Sequence, residues 1–445
     1  TPPPPTARQR LFDACRQGDA AAADEKGDAP FLGAKRNGQW QTISWNEAAD
    51  QVCLVAENLR KLGLRDGDRV CLVSENRPEW CISDLAVMAA GCITVPTYIT
   101  NTERDHVHIL DNSGAKAVIV STEKLLRPLH GALQASGVAD HVIGIDDLHR
   151  QQSGSFTFHN WDSMLEGDAA GARKSVEARI ANIKREDTAC IIYTSGTGGA
   201  PRGVLQHHGA ILCNSAGAAE ILINDFGLGD EERFLSFLPL SHAYEHTGGQ
   251  FLPIGVGAQI YYSEGLEKLA SNIEETRPTI MVVVPRLFEV LRTRIMKQVQ
   301  KQGGLAERLM NTALEVGERR AMGSHKFGDG MKDFAVSRLL KPKIKQKFGG
   351  RIKAMVSGGA PLNPEVGIFF ESMGLTMLQG YGQTEAGPVI SCNRPAAGIA
   401  MHSVGPAMRD VEIKIAEEPW YIALAKCFLE PMSIMLEVIH NLRLN

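Results

Sequence analysis

The sequence predicts a layered α/β protein with two parallel-type sheets. Short apolar runs of strand length alternate with helix-period segments between residues 44 and 120. The same alternation returns between 234 and 284, and again between 352 and 378. The segments joining successive strands are long enough for right-handed βαβ crossovers. A chain of 445 residues also exceeds what one core fills; at roughly 150 residues per domain it divides into about two to four lobes.

Ser44-Trp45-Asn46-Glu47 reads as a capping box, Ser44 at the N-cap and Glu47 three residues on, and Ala48, Val52, Val55, Ala56 and Leu59 keep helical spacing behind it. Gly63 stops that helix, and Asp66-Gly67-Asp68 turns the chain into a strand over Arg69–Val73. A helix over Glu79–Ala90, a strand over Cys92–Pro96, a helix near Glu103–Leu110 and a strand over Ala117–Val120 follow. Residues 121–188 are more polar and read as connection plus a further αβ element. Beyond them, strands are expected at Phe234–Leu238, Ala258–Tyr262 and Ile280–Val284, and long amphipathic helices over 286–322. A strand over Ile352–Ser357, a helix over Pro364–Ser372, a strand over Leu375–Leu378, a loop QGYGQTEAG and a β-like piece Val411–Ile415 complete the order.

The 47 basic residues are balanced by 51 acidic ones, net −4, so the nucleic-acid class is excluded. Nine cysteines form no C-x-x-C pair and lie mostly in apolar runs, which reads as reduced core thiols of a cytoplasmic protein. Residues 1–28 read as a disordered or extended tail without a signal-peptide pattern. In the last stretch Lys426, Glu430, Pro431 and Glu437 interrupt any membrane span, leaving an amphipathic helix broken at Pro431. No internal repeat is visible.

IIYTSGTGGAPRGV, from Ile191 to Val204, places a loop of Thr, Ser and Gly directly behind a strand and closes it with a cation. Glycine admits backbone N–H groups close to an anion, hydroxyls add donors and Arg202 neutralises charge, which together describe a polyphosphate cradle. A solvated surface loop is the plain alternative. It is not a Walker A loop, because no Gly-Lys-Ser/Thr follows, and no G-x-S-x-G elbow is present. His242-Ala243-Tyr244-Glu245-His246 matches an inverted zinc-protease pattern, but Pro239 and Ser241 precede it and Gly248-Gly249 are expected to break the helix such a site requires.

YTSGTGGAPRGV, LPLSHAYEH (238–246) and SGGAPL with LQGYGQTEAG (357–362, 378–387) resemble, in order, the core motifs of the adenylate-forming superfamily. SENRPEW, LAVMAAGCITVPTY, SGAKAVIV and VVVPRLFEVL resemble its long-chain fatty-acid–CoA ligase branch. The resemblance implies a layered αβαβα large domain with a distorted β-barrel over 29–416, followed by a non-family tail over 417–445 in place of a small C-terminal domain. It implies ATP, Mg²⁺ and coenzyme A as ligands, with Thr194 and Glu385 holding the metal. Ser195, Gly196, Thr197, Gly198 and Gly199 would cradle phosphates; Gly198 stands where relatives have a second Thr, and Arg202 where they often have Lys. Gly358, Gly359 and Ala360 would line adenine, Tyr381 would stack on it, and Gly380, Gly382, Gln383 and Thr384 would complete the site, Thr384 at the α-phosphate. His242 would form a wall between adenylate and acyl group, with a structural histidine as the alternative.

Between Phe234 and His246 there is no Asp to clamp an amine, so the substrate expected is a fatty acid, activated to acyl-adenylate and then acyl-CoA, with efficient thioester formation expected to be impaired by the missing C-terminal domain. An adenylate-binding protein without turnover and a ligase of another carboxylate stay open beside it. Six basic residues between 341 and 353 read as a solvated face or as a peripheral contact with anionic lipid or CoA phosphates. Oligomeric state is not legible.

Overall fold

The structure is a computed structural model, and it describes residues 27–148, 156–194, 200–229, 231–324 and 326–413. The calls on both tails, 1–28 and 417–445, fall almost wholly outside these residues. In chain order the strands are β1 (Pro30–Arg36), β2 (Gln39–Ser44), β3 (Arg69–Val73), β4 (Ile93–Pro96), β5 (Ala117–Val120), β6 (His141–Gly144), β7 (Thr157–Asn160), β8 (Thr188–Thr194), β9 (Arg202–His207), β10 (Arg233–Ser236), β11 (Gln259–Tyr262), β12 (Ile280–Val283), β13 (Ala354–Ser357), β14 (Met377–Gly382) and β15 (Val389–Cys392). They form two sheets, ordered β7-β6-β5-β3-β4-β8-β9 and β15-β14-β13-β12-β10-β11-β1-β2. Pairing is parallel except for β1–β2, β8–β9 and β14–β15, each at a sheet edge.

Alternation along the strands explains the layers. Val70 and Leu72 of β3, with Ala117 and Ile119 of β5, point into a core shared with the helices Trp45–Lys61 and Pro78–Ala89. Their neighbours Cys71, Val73, Val118 and Val120 point into a second core under the helices Glu103–Ser113 and Glu123–Ser136. Strands buried on both faces read as continuous apolar runs because no position meets water. The other sheet repeats the scheme: Leu235, Met281 and Met355 face the helices Pro285–Gln302 and Pro364–Ser372, while Phe234, Ile280 and Ala354 face the helix His208–Phe226. Leu32, Ile260 and Tyr262 join the first core from the opposite side. The result is helix, sheet, helix, sheet, helix, and the αβαβα order stands; the pairings among the described residues include no closed barrel.

The capping box forms as read, Ser44 accepting from the Glu47 N–H at 3.2 Å and Glu47 accepting from the Ser44 N–H at 2.8 Å. Four expectations change. Arg202 and Gly203 belong to β9, not to a loop, because Arg202 pairs with Thr194 across a hairpin. Gln379–Gly382 is strand, held by its antiparallel partner β15. Residues 411–413 form no strand, Val411 packing against the core beside Met408 instead. Among the described residues six cysteines are free and buried, whereas Cys213 is disulfide-bonded and not a reduced thiol.

Candidate active site

The cradle residues Ser195, Gly196, Thr197, Gly198 and Gly199 lie outside the described residues, but both of their anchors are described. Thr194, half-buried, ends β8; Arg202, exposed, opens β9 opposite it. The hairpin is fastened on one side to the helix Glu103–Ser113. There His108 Nε2 donates to the Pro201 carbonyl at 2.8 Å, and the Tyr193 hydroxyl donates to Asn112 Oδ1 at 2.6 Å. On its other side Gln206 Nε2 donates to the Thr384 carbonyl at 2.7 Å, and so ties the TEA segment to the strand that leaves the loop. Gln206 pairs with Cys190, so about 13 Å of extended backbone separates this anchor from the loop mouth.

The segment around Glu385 is a single 3-10 turn, Thr384–Ala386, seated on the first turns of the helix His208–Phe226. Asn214 of that helix accepts from the Val389 N–H, and Gly387 approaches Ala210 so closely that an added Cβ would meet its methyl at 3.0 Å. Glu385 itself is exposed. Tyr381, 39% exposed near the end of β14, accepts a hydrogen bond from Gln383 Nε2 at 3.0 Å. Gly380 and Gly382 lie in the same strand. Gly358 is buried directly after β13, and Gly359 and Ala360 follow it exposed.

Tyr244 joins the LPLSHAYEH segment to this wall. Its hydroxyl donates to the Val356 carbonyl at 2.9 Å, and its ring lies where a Cβ on Gly358 would be, 2.7 Å from the nearest carbon. Glycine at 358 is therefore a packing requirement. His242 caps the short helix Ala243–Glu245 by accepting the Tyr244 N–H on Nδ1 at 3.1 Å, which puts the ring proton of the neutral form on Nε2. Its ring is open to solvent at one side, yet the surrounding protein desolvates it enough to lower its pKa. Gly248-Gly249 do not break the helix. The chain runs on as a π-helix, His246–Phe251, in which the missing side chain of Gly249 makes room for the Glu245 carboxylate.

The two histidines of the zinc-like pattern have separate partners. His246 is wholly buried, with Nε2 bonded to Asp84 Oδ2 at 2.8 Å, and Gln250 Nε2 donates to the same oxygen at 2.7 Å. Among the described residues no three His, Cys, Asp or Glu side chains converge as metal ligands. Glu245 is 1% exposed and accepts from the Ser236 hydroxyl at 2.6 Å, while burial pushes its carboxyl up to about 8. Sequence reasoning missed Asp84, Gln206 and Asn76. Asn76 donates to Ser236 at 2.9 Å and accepts from the Leu240 N–H at 3.1 Å, linking the two sheets beside Glu245.

A recess of about 600 Å³ opens beside Ser241, between the loops Ser74–Glu79, Tyr98–Thr100 and Phe237–Ser241. Its size suits an organic ligand. None of the predicted nucleotide residues among the described ones lines it.

Residues 19–420 match the AMP-binding enzyme family. The chain belongs to that family. The resemblance to the long-chain branch holds as well: the long chain acyl-CoA synthetase 6, peroxisomal, of Arabidopsis thaliana is 29% identical over 384 residues. The alignment covers 86% of this chain and 53% of that relative. The long-chain-fatty-acid–CoA ligase FadD15 of Mycobacterium tuberculosis is 29% identical over 381 residues, 82% of this chain and 60% of its own. The chain thus spans little more than half the length of these relatives. Among solved structures, a benzoate CoA ligase from Burkholderia xenovorans superposes with a TM-score of 0.63 at 21% identity, over 91% of this chain and 68% of that one, a likeness of fold.

Proposed function

We propose that this AMP-binding family member activates a carboxylic acid with ATP and delivers the acyl group to coenzyme A. A carboxylate oxygen attacks the α-phosphorus, the bond to the leaving pyrophosphate breaks, and an acyl-adenylate forms. The thiol sulfur then attacks the acyl carbon, AMP leaves and the thiol proton is lost to solvent. Positioning and charge neutralisation do most of such work. Arg202 at the loop mouth balances phosphate charge, the Tyr381 ring stacks on adenine beside Gly358–Ala360, and Thr384 meets the α-phosphate. A hydroxyl at Thr194 and the exposed carboxylate of Glu385 suit Mg²⁺, which keeps several waters and takes phosphate oxygens where protein offers few donors; bound there, it would neutralise polyphosphate charge. The observation that carries this reading is the Gln206–Thr384 bond, which joins the hairpin holding the phosphate loop to the turn holding Glu385.

For the acyl substrate we propose a long-chain fatty acid, supported by the names of the curated relatives. Glu245 offers no anion to an amine, being buried and protonated at neutral pH. An aromatic acid is the second reading, favoured by the likeness to the benzoate CoA ligase. ATP–pyrophosphate exchange over a panel of carboxylic acids tests both. Exchange is expected with long-chain acids; exchange with aromatic acids alone selects the second reading. Nucleotide protection of the fold with no exchange for any acid would reduce the protein to a binding module.

A further inference from the structure

The strongest feature outside the candidate site is a bare apolar tip. Met322, Phe327, Met331 and Phe334 are 79%, 110%, 81% and 66% exposed, on the turn after the helix Gly304–Ala321 and on the helix Asp329–Leu339. Met331, Phe334 and Arg338 recur at i, i+3 and i+7 and make one outward stripe, while Val336 on the far side is buried. Ion pairs fasten the helix that carries the stripe. Arg319 pairs with Asp329 at 2.6 Å, and Asp333 takes both Arg320, at 3.1 Å, and Lys341, at 2.9 Å.

The sequence around the tip is predominantly basic. From 322 to 347 the sequence holds seven Lys and Arg against Asp329 and Asp333 alone, in a chain of net charge −4. Both aspartates are consumed by the pairs just named. Arg338 lies over the Phe334 ring at 5.8 Å, and Lys343 and Lys345 are exposed with no ion-pair partner among the described residues. Of the basic run 341–353, Lys341, Arg351 and Lys353 are instead bound to Asp333, Glu231 and Glu232. That run alone therefore offers few free cations. The apolar tip supplies what it lacks.

We infer that Met322, Phe327, Met331, Phe334 and Arg338, with Lys343 and Lys345, form a docking surface for an anionic lipid bilayer. The aromatic and Met side chains enter the acyl–headgroup boundary, and the free cations meet lipid phosphates. A fully exposed Phe stands out from the surface rather than lining a groove, which fits a deformable lipid layer better than the concave face of a protein. Apolar insertion and basic flanks act together, since neither alone holds a soluble protein to a membrane for long. This inference is independent of the adenylation reading, because exchange activity and lipid binding are read separately.

The test is flotation of the full chain with vesicles of phosphatidylcholine containing phosphatidylglycerol, beside vesicles of phosphatidylcholine alone. Binding is expected on the anionic vesicles only, and it should weaken with added salt. Phe327→Ser with Phe334→Ser should lower partitioning roughly tenfold or more, as should Lys343→Glu with Lys345→Glu, with thermal midpoints unchanged because all four side chains are at the surface. Absence of flotation, equal binding to neutral vesicles, or binding untouched by the Phe substitutions would overturn the inference. So would a concentration-dependent dimer that the Phe substitutions abolish without any lipid binding.

Discussion

Glu245→Gln turns the buried carboxyl beside Ser236 into a measurement. The carboxyl's ordinary value of 4.5 is raised to about 8 by desolvation, against the opposing hydrogen bond from Ser236. The folded protein therefore holds a proton that the unfolded chain releases above 4.5. Stability from this group is full below pH 4.5 and is lost as pH rises, until the folded group also ionises near 8. At about 1.36 kcal/mol per pH unit, the loss is about 3 kcal/mol at pH 7 and approaches 5 kcal/mol above pH 8. Glutamine keeps the shape and the acceptor for Ser236 but cannot ionise. Its Nε2 takes the place of Oε2, which has no partner, so an unmet donor costs about 1–3 kcal/mol at every pH. The variant is expected to be the less stable protein at pH 5 and the more stable one at pH 8. Urea unfolding of both proteins across that range, at constant ionic strength, reads the difference. His106 and His208, both lowered to about 4 by burial, oppose the trend, since their contribution is lost as pH falls below 6.5. They are present in both proteins and cancel in the comparison. A stability difference that stays flat from pH 5 to 9 would refute the reasoning and place a charged Glu245 in the core.

Glu385→Gln should lower pyrophosphate exchange roughly 10²- to 10³-fold with an unchanged thermal midpoint, because the side chain is exposed; unchanged exchange would put the metal ligand elsewhere. Gln206→Leu leaves the Thr384 carbonyl without its donor, and the looser turn should raise the KM for ATP roughly tenfold with a smaller change in kcat. Kinetics of exchange at varied ATP separate the two effects. Gly358→Ala forces a methyl against the Tyr244 ring and should cost about 1–3 kcal/mol. Equal urea midpoints for variant and parent would show that the ring moves freely.

Strand positions and caps were legible because their signals are local. The apolar runs Arg69–Val73 and Ala117–Val120 appear as β3 and β5 with the ends expected, and the box at Ser44–Glu47 caps its helix. Each depends on neighbours at most four residues away, whose geometry the backbone imposes. Gly248-Gly249 misled because a glycine pair is read as a breaker, whereas here it clears space for Glu245.

The sequence by itself determined the alternation of elements and the positions of the strands in two parallel-type sheets. Tertiary structure alone decided which distant side chains close the site: Gln206 onto Thr384, Tyr244 against Gly358, and Asp84 between His246 and Gln250. Partners separated by 112 to 178 residues carry no spacing signature. The entropy of closing a loop rises only with the logarithm of its length, so the chain itself scarcely favours one distant partner over another. Packing of the two sheets on their shared helices makes that choice.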